Sequence, residues 1–153
     1  MSMAAKKKDF PKGKSVKREK TVSGASYSSD DMKTVWYFDL LDRSGKFAFD
    51  LTRGDFHHHE VLEKIIAYSN MTWTEIKRQT HDKGKSKHHF LDMSKLSAEA
   101  MERIEAKQFE EQTDSIFSFA LQNKLRLIGL RKNEQFHVVW YDPNHEFCPS
   151  SKK

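Results

Sequence analysis

Segment 115–147 constrains the fold of this chain more than any other stretch. It contains three runs rich in β-branched, aromatic and aliphatic residues, joined by two short polar connections that each hold an asparagine. The runs cover residues 116–121, 125–131 and 136–141. Runs of this composition between tight polar turns are typical of neighbouring strands. The sequence therefore predicts an antiparallel three-strand meander.

Alternation along the meander leaves apolar side chains on both of its faces. A period of two puts Phe136, Val138 and Trp140 on one face, the spacing of a buried strand, so Trp140 is expected to be structural. The opposite face carries Leu125 and Leu127. Because neither face is cleanly polar, we expect helices to cover one face and an N-terminal hairpin or a partner to cover the other.

The N-terminal hairpin is predicted from residues 34–51. Two β-rich runs flank a polar turn in which Gly45 can adopt the positive φ that a type I turn with a bulge requires. We expect this hairpin to extend the sheet.

Three helices are predicted from capping residues and apolar spacing. Asp55 is a candidate N-cap for a helix that ends near Ser69, Thr72 begins a capping box with Glu75, and Ser97 caps a third helix. The apolar positions expected to face the core are Val61, Leu62, Ile65, Ile66, Trp73, Ile76, Ala100, Met101 and Ile104. The predicted class is α+β, with the meander and the hairpin packed against three helices.

Charge and composition divide the chain unevenly. Residues 1–26 hold eight basic and two acidic residues, a net charge of +6, so the remaining residues sum to −1 although the whole chain carries +5. Because these first residues lack apolar anchors, we expect 1–30 to be a disordered basic tail, 31–148 to be one domain and 149–153 to be frayed. The tail is either a nucleic-acid-binding arm or a solubilising segment.

The cysteine count and the hydropathy pattern bear on the cellular setting. A lone cysteine, Cys148, forms no internal disulfide, and the first residues lack the apolar stretch of a secretion signal. No apolar run approaches the roughly 20 residues of a membrane helix. The sequence predicts a cytoplasmic protein that does not enter a membrane.

Histidine runs raise the question of a metal site. The runs His57–His58–His59 and His88–His89 offer imidazole ligands, but adjacent histidines point in different directions and no His-Glu-x-x-His or Cys-x-x-Cys spacing is present. No phosphate-binding glycine loop or nucleophile elbow occurs either. We therefore expect neither a metal nor a cofactor.

Basic and proton-exchanging side chains gather on and after the meander. Arg126 can offset phosphate charge, while His145 and Tyr141 can exchange protons, a set suited to metal-independent RNA cleavage. The alternative for a strand arginine is an ion pair with Glu134 or Asp142. The residues expected to bind nucleic acid are Lys83, Lys85, Lys87, His88, His89, Lys124 and Arg131, and His88 is a further candidate for proton transfer.

The arrangement of a helix followed by this meander resembles the RelE/ParE-type toxins of bacterial toxin–antitoxin systems. The resemblance covers about residues 96–147, with Lys124–Leu125–Arg126–Leu127 opening a strand and Tyr141 or His145 following the last one. It implies a RelE-like α+β fold, endoribonuclease activity on mRNA at the ribosome, and neutralisation by a cognate antitoxin protein.

Two functions are consistent with these features. The first is a toxin that cleaves mRNA without a metal. The second is a non-catalytic binding module, such as a phage or mobile-element inhibitor that docks on a host protein or nucleic acid. Relatives of one fold can differ in activity, so the fold alone does not separate the two.

Overall fold

The computed structural model describes residues 28–81 and 84–150. The predicted tail up to residue 27, Lys83 and the last three residues lie outside this part. Residues 28–30, which composition alone assigned to the tail, belong to the folded unit, because Ser29–Asp31 form a 3₁₀ turn. The Asp30 carboxylate in this turn bonds Arg131 Nη2 at 2.6 Å and Lys77 Nζ at 2.6 Å.

The chain forms an α+β fold built on a five-stranded mixed sheet, which confirms the predicted class. The strands are β1 (Val35–Tyr37), β2 (His89–Phe90), β3 (Ile116–Ala120), β4 (Arg126–Lys132) and β5 (Gln135–Asp142). They lie in the order β1-β5-β4-β3-β2, with β1 parallel to β5 and all other neighbours antiparallel. The predicted meander is β3-β4-β5, and its turns place Asn123 and Asn133 at φ of 56° and 58°.

Helices cover both faces of the sheet. The helices are α1 (His58–Ser69), α2 (Trp73–Lys77) and α3 (Ala98–Ala106). Short 3₁₀ turns occur at Met93–Lys95 and Glu110–Ser115. One face packs on α1 and α2 through Tyr68 and Trp73, and the other packs on α3 through Ala100 and Ile104. The meander is therefore buried on both sides, as its apolar alternation indicates.

The predicted N-terminal hairpin does not form. Its first run becomes β1, which pairs with β5, while residues 47–49 contact β5 through an isolated bridge between Ala48 and Trp140. Gly45 does adopt the expected positive φ, 85°. The backbone bonds explain the difference, because the Tyr141 amide donates to the Phe47 carbonyl instead of leaving that segment to pair with β1.

The helix starts agree only in part with the sequence. Thr72 and Glu75 form the predicted capping box, and the Ser97 hydroxyl caps α3. Asp55 does not cap α1, which begins after His57 without a side-chain cap, because the Asp55 carboxylate bonds the Arg53 guanidinium at 2.8 and 2.9 Å. Three positions expected in the core are instead exposed, namely Leu62, Ile66 and Met101.

A β-bulge in β5 changes which residues share a face. Trp140 pairs with Ile128 and Val138 pairs with Gly129, so Val139 is an extra residue on β5. The bulge moves Trp140 to the α3 face while Val138 stays on the α1 face, which corrects the predicted grouping of the two. Trp140 is nonetheless fully buried, as expected, and its indole Nε1 donates to Asp42 Oδ2 at 2.8 Å.

Candidate functional site

A cavity of about 380 Å³ lies where β3 ends and β4 begins. Pockets that bind small ligands typically have volumes of about 300–1,000 Å³. Its lining comes from β3 and β4 with the turn between them, from the end of β5 and the segment after it, and from β2 with the loop that leads into it. The residues that carry its chemistry are Lys87, His89, Asn123, Arg126, Asp142 and His145.

Arg126 provides a charge that, within the described part of the chain, no carboxylate neutralises by direct contact. Its Nη1 donates to the carbonyls of Asn123 at 2.7 Å and Leu125 at 2.9 Å. Among the described residues, Nη2 and Nε have no hydrogen-bond partner. Burial lowers the Arg126 pKa, although a guanidinium starts so high that it stays charged near neutral pH. The predicted alternative of an ion pair does not hold for this arginine.

Asp142 is the carboxylate of the cavity, and backbone amides already occupy it. It pairs with Arg126 in the strand register, but Oδ1 accepts from the Glu146 amide at 2.9 Å and Oδ2 accepts from the Phe147 amide at 2.8 Å. Burial raises the Asp142 pKa, and these amide bonds act in the opposite direction. The carboxylate therefore serves to build the turn that follows β5.

That turn holds His145 in the cavity. His145 has a φ of 59°, in the left-handed region that non-glycine residues seldom adopt and that is often found at functional sites. Burial lowers the pKa of His145 below 6.5, and the positive charges of Arg126, His89 and Lys124 lower it further. The imidazole is therefore neutral near pH 7, the form that can accept a proton.

His88 anchors the loop that carries the other cavity residues. Its Nδ1 accepts from the Ala120 amide at 3.0 Å, so the proton is on Nε2, which lies 2.8 Å from Gln79 Oε1. Burial, reinforced by nearby positive charges, lowers the His88 pKa to about 3. With both ring nitrogens bonded, His88 is a structural residue, which corrects its predicted role in nucleic-acid binding and proton transfer.

The buried position of His88 determines which neighbouring side chains line the cavity. Successive residues of an extended segment point to opposite sides. His88 packs inward against Tyr68 and Phe119, whereas Lys87 and His89 on either side of it line the cavity. The His89 Nδ1 lies 3.0 Å from the Phe90 carbonyl oxygen, which requires Nδ1 to be the protonated donor.

Two predicted site residues lie on the opposite face of the sheet. Tyr141 pairs with Leu127, one position before the pair of Asp142 with Arg126. Its hydroxyl donates to the Asp55 carbonyl at 2.8 Å and accepts from the His57 amide at 2.9 Å.

Arg131 is the second of these residues. Its guanidinium stacks on the ring of Trp73, 3.9 Å from the ring centroid. It also bonds Asp30, so it is an arginine that forms a structural ion pair. Neither Tyr141 nor Arg131 belongs to the cavity, which corrects the predicted roles of both.

Among the described residues, the other lysines predicted to bind nucleic acid do not line the cavity. Lys85 and Lys124 are exposed and do not line the cavity, although the charge of Lys124 acts on His145. Lys83 lies outside the described residues. The Asp-Pro-Asn run at 142–144 predicts the turn that follows β5, but the sequence reasoning missed that Asn123 and Asp142 line the cavity.

Similarity to known proteins does not identify the site. Comparisons with protein-family models, curated proteins and solved structures gave no match to this chain. Within residues 28–81 and 84–150, no three His, Cys, Asp or Glu side chains group as a metal site. In the same part of the chain, none of the helices has the length and apolar character to cross a membrane.

Proposed function

We propose that the cavity binds an RNA phosphodiester and that the protein is a metal-independent endoribonuclease. The observation that carries this proposal is the convergence of Arg126, His145, Lys87 and His89 on one cavity whose carboxylate is occupied by backbone amides. A guanidinium that forms no ion pair with a described carboxylate favours an anionic ligand, and a neutral imidazole in the same cavity can remove a proton.

The chemistry follows from these roles. His145 takes the proton of the 2′-hydroxyl, whose oxygen attacks the adjacent phosphorus. A P–O2′ bond forms, the P–O5′ bond breaks, and the products carry a 2′,3′-cyclic phosphate and a 5′-hydroxyl. Arg126, through Nη2 and Nε, stabilises the negative charge that develops on the phosphate oxygens.

The biological setting of the proposal comes from the resemblance to RelE/ParE-type toxins. In this setting the substrate is mRNA, free or on the ribosome, the partner is a cognate antitoxin protein, and the compartment is the cytoplasm. Expression of the chain in a bacterium should then arrest growth and shorten mRNA, and co-expression of the antitoxin should restore growth.

Alanine variants at Arg126 and His145 test the mechanism with a purified protein and an RNA oligonucleotide. Removal of one donor to a developing oxyanion costs roughly a hundredfold or more in rate, and loss of a general base costs about 10²–10⁴-fold. We expect both variants to lose cleavage by these factors. Arg126→Lys should recover only part of the lost cleavage rate, because the point charge of an ammonium group cannot reproduce the planar set of N–H donors of a guanidinium.

Matched controls are available on the same molecule. His59→Ala removes an exposed histidine of α1, and Lys85→Ala removes an exposed lysine of the loop that carries Lys87. Both should cleave like the parent. An oligonucleotide with a 2′-deoxy sugar at the cleaved position should resist all the proteins. Parental rates in both Arg126→Ala and His145→Ala would refute the mechanism.

The alternative is a non-catalytic module that docks on a host protein. Exposed apolar side chains support it, since Leu62 is 59% exposed and Ile66 is 51% exposed on α1, and Phe38 is 45% exposed after β1. Under this alternative the parent does not cleave RNA, and Leu62→Ser with Ile66→Ser relieves the growth effect while His145→Ala leaves it unchanged.

A further inference from the structure

The proposed cleavage needs a second proton-transfer group. Breaking the P–O5′ bond leaves an alkoxide, which is a poor leaving group unless an acid protonates it. Tyr141 lies on the other face of the sheet, and both ring nitrogens of His88 are bonded. The donor must therefore be another residue of the cavity.

We propose that His89 is the general acid that protonates the departing 5′-oxygen, in a pair with His145 as the base. This inference rests on the proposed function. His89 lines the same cavity as His145 and Arg126, and it approaches from β2 and its loop while His145 approaches from the turn after β5. An acid and a base that reach a phosphate from different elements can serve its two opposite oxygens.

The hydrogen bonds of His89 are suited to this role. Because Nδ1–H donates to the Phe90 carbonyl, the ring orientation is restrained and Nε2 is the nitrogen left to carry the transferable proton. The His88 bonds to Ala120 and Gln79 hold the segment so that its neighbour points into the cavity. The reaction returns to its start when the His89 and His145 protons are exchanged with water.

Other charged or titratable residues around His89 compete for the role. They are Lys87 in the same segment, His81 at the far end of the loop, Arg126 on β4, Asp142 at the end of β5, and His145 and Cys148 on the chain after β5. A substrate that needs no acid separates a proton donor from a residue that only binds phosphate.

The experiment compares an ordinary RNA oligonucleotide with one whose scissile 5′-oxygen is replaced by sulfur. A thiolate leaves without protonation, so loss of the general acid should not affect this substrate. His89→Asn keeps an amide donor for the Phe90 carbonyl but has no proton to transfer. We expect His89→Asn to slow ordinary cleavage by about a hundredfold or more and to cleave the sulfur substrate within about threefold of the parent.

Three comparison variants define the outcomes. Any variant that slows cleavage of ordinary RNA for another reason should slow cleavage of the sulfur substrate by the same factor. We expect this of His145→Ala, Lys87→Ala and His81→Ala. If Lys87→Ala or His81→Ala is the rescued variant, that residue is the acid and the assignment to His89 is wrong. If His89→Asn is slow on both substrates, His89 is not a proton donor. If the folded parent cleaves neither substrate, the proposed function fails and this inference fails with it.

Discussion

At the scale of single residues, His88 is a histidine whose burial keeps it neutral. The pKa of about 3 arises first from desolvation and then from the positive charges of Lys87 and Arg126. Its ring links β3 to Gln79 through two hydrogen bonds. Protonation would add charge to a buried ring and would remove the acceptor of the Ala120 amide. The residue therefore links the geometry of the site to the pH.

The low pKa of His88 predicts that acid lowers the stability of the folded protein. His88 binds a proton near pH 6.5 in the unfolded state but only near pH 3 in the folded state. Its contribution to the free energy of unfolding is therefore complete above pH 6.5 and falls as the pH drops towards 3. One proton contributes a slope of about 1.4 kcal/mol per pH unit. His88→Asn keeps an acceptor for the Ala120 amide without titrating.

Urea unfolding between pH 7 and pH 5 measures the effect. His88→Asn should be less stable than the parent at pH 7, because the bond to Gln79 is removed, but its stability should change less with pH. A parent and a variant with the same slope would show that another group controls acid unfolding. The exposed His59 offers the matched control variant, His59→Asn, whose slope should equal that of the parent.

At the scale of elements, the bulge in β5 sets the two faces of the sheet. Val139 is the extra residue, and Gly129 lies opposite Val138 at the shift in register. A Cβ on Gly129 would collide with the His137 carbonyl oxygen. Only a glycine allows the two backbones to approach this closely, so the pairing of β4 with β5 at the bulge requires a glycine at position 129.

Substitution of Gly129 tests the bulge. Gly129→Ala should lower stability by about 1–3 kcal/mol or more, because the methyl group meets backbone that cannot move without breaking the ladder. Gly54→Ala is the matched control, since a methyl group on Gly54 would meet no described atom within 4 Å, and it should be neutral or slightly stabilising. Chemical unfolding midpoints measure both. Equal midpoints for Gly129→Ala and the parent would mean that the strands do not pack this closely.

At the scale of the whole molecule, charge is separated along the chain. The net +6 of residues 1–26 precedes a remainder of −1, within which the cavity is a local basic cluster. Under the proposed function, truncation should therefore separate non-specific attraction to nucleic acid from cleavage at the cavity. Asp30 sets the limit of a clean truncation, because it bonds both Arg131 and Lys77.

Deletion of residues 1–27 tests this separation. The truncated protein should bind RNA more weakly, and the salt dependence of its binding should be shallower by about 0.7 for each phosphate of a single strand that it no longer neutralises. The value of kcat should not change, because the cavity residues remain. Cleavage assays at several salt concentrations measure both quantities. If residues 1–27 only increase solubility, their deletion should leave KM unchanged. A fall in kcat would mean that part of the site lies in residues 1–27.

Features that depend on neighbours along the chain could be predicted from the sequence. The capping box at Thr72, the Ser97 cap and the asparagine turns of the meander were predictable because each consists of bonds within a few residues. Arg126 and His145 were also predicted to share a site from their types and positions, and both line the cavity.

Features that depend on pairing between distant segments could not be predicted in this way. The parallel pairing of β1 with β5, the bulge that moves Trp140 to the other face, and the ion pair of Arg131 with Asp30 each join segments whose partners compete for the same backbone or charge. Tyr141 lies on the face of Leu127, as the alternation predicts, so it does not share a cavity with Arg126 although it immediately precedes Asp142, the register partner of Arg126. Local sequence specifies elements, whereas the burial of both sheet faces selects which elements meet and which side chains share a cavity.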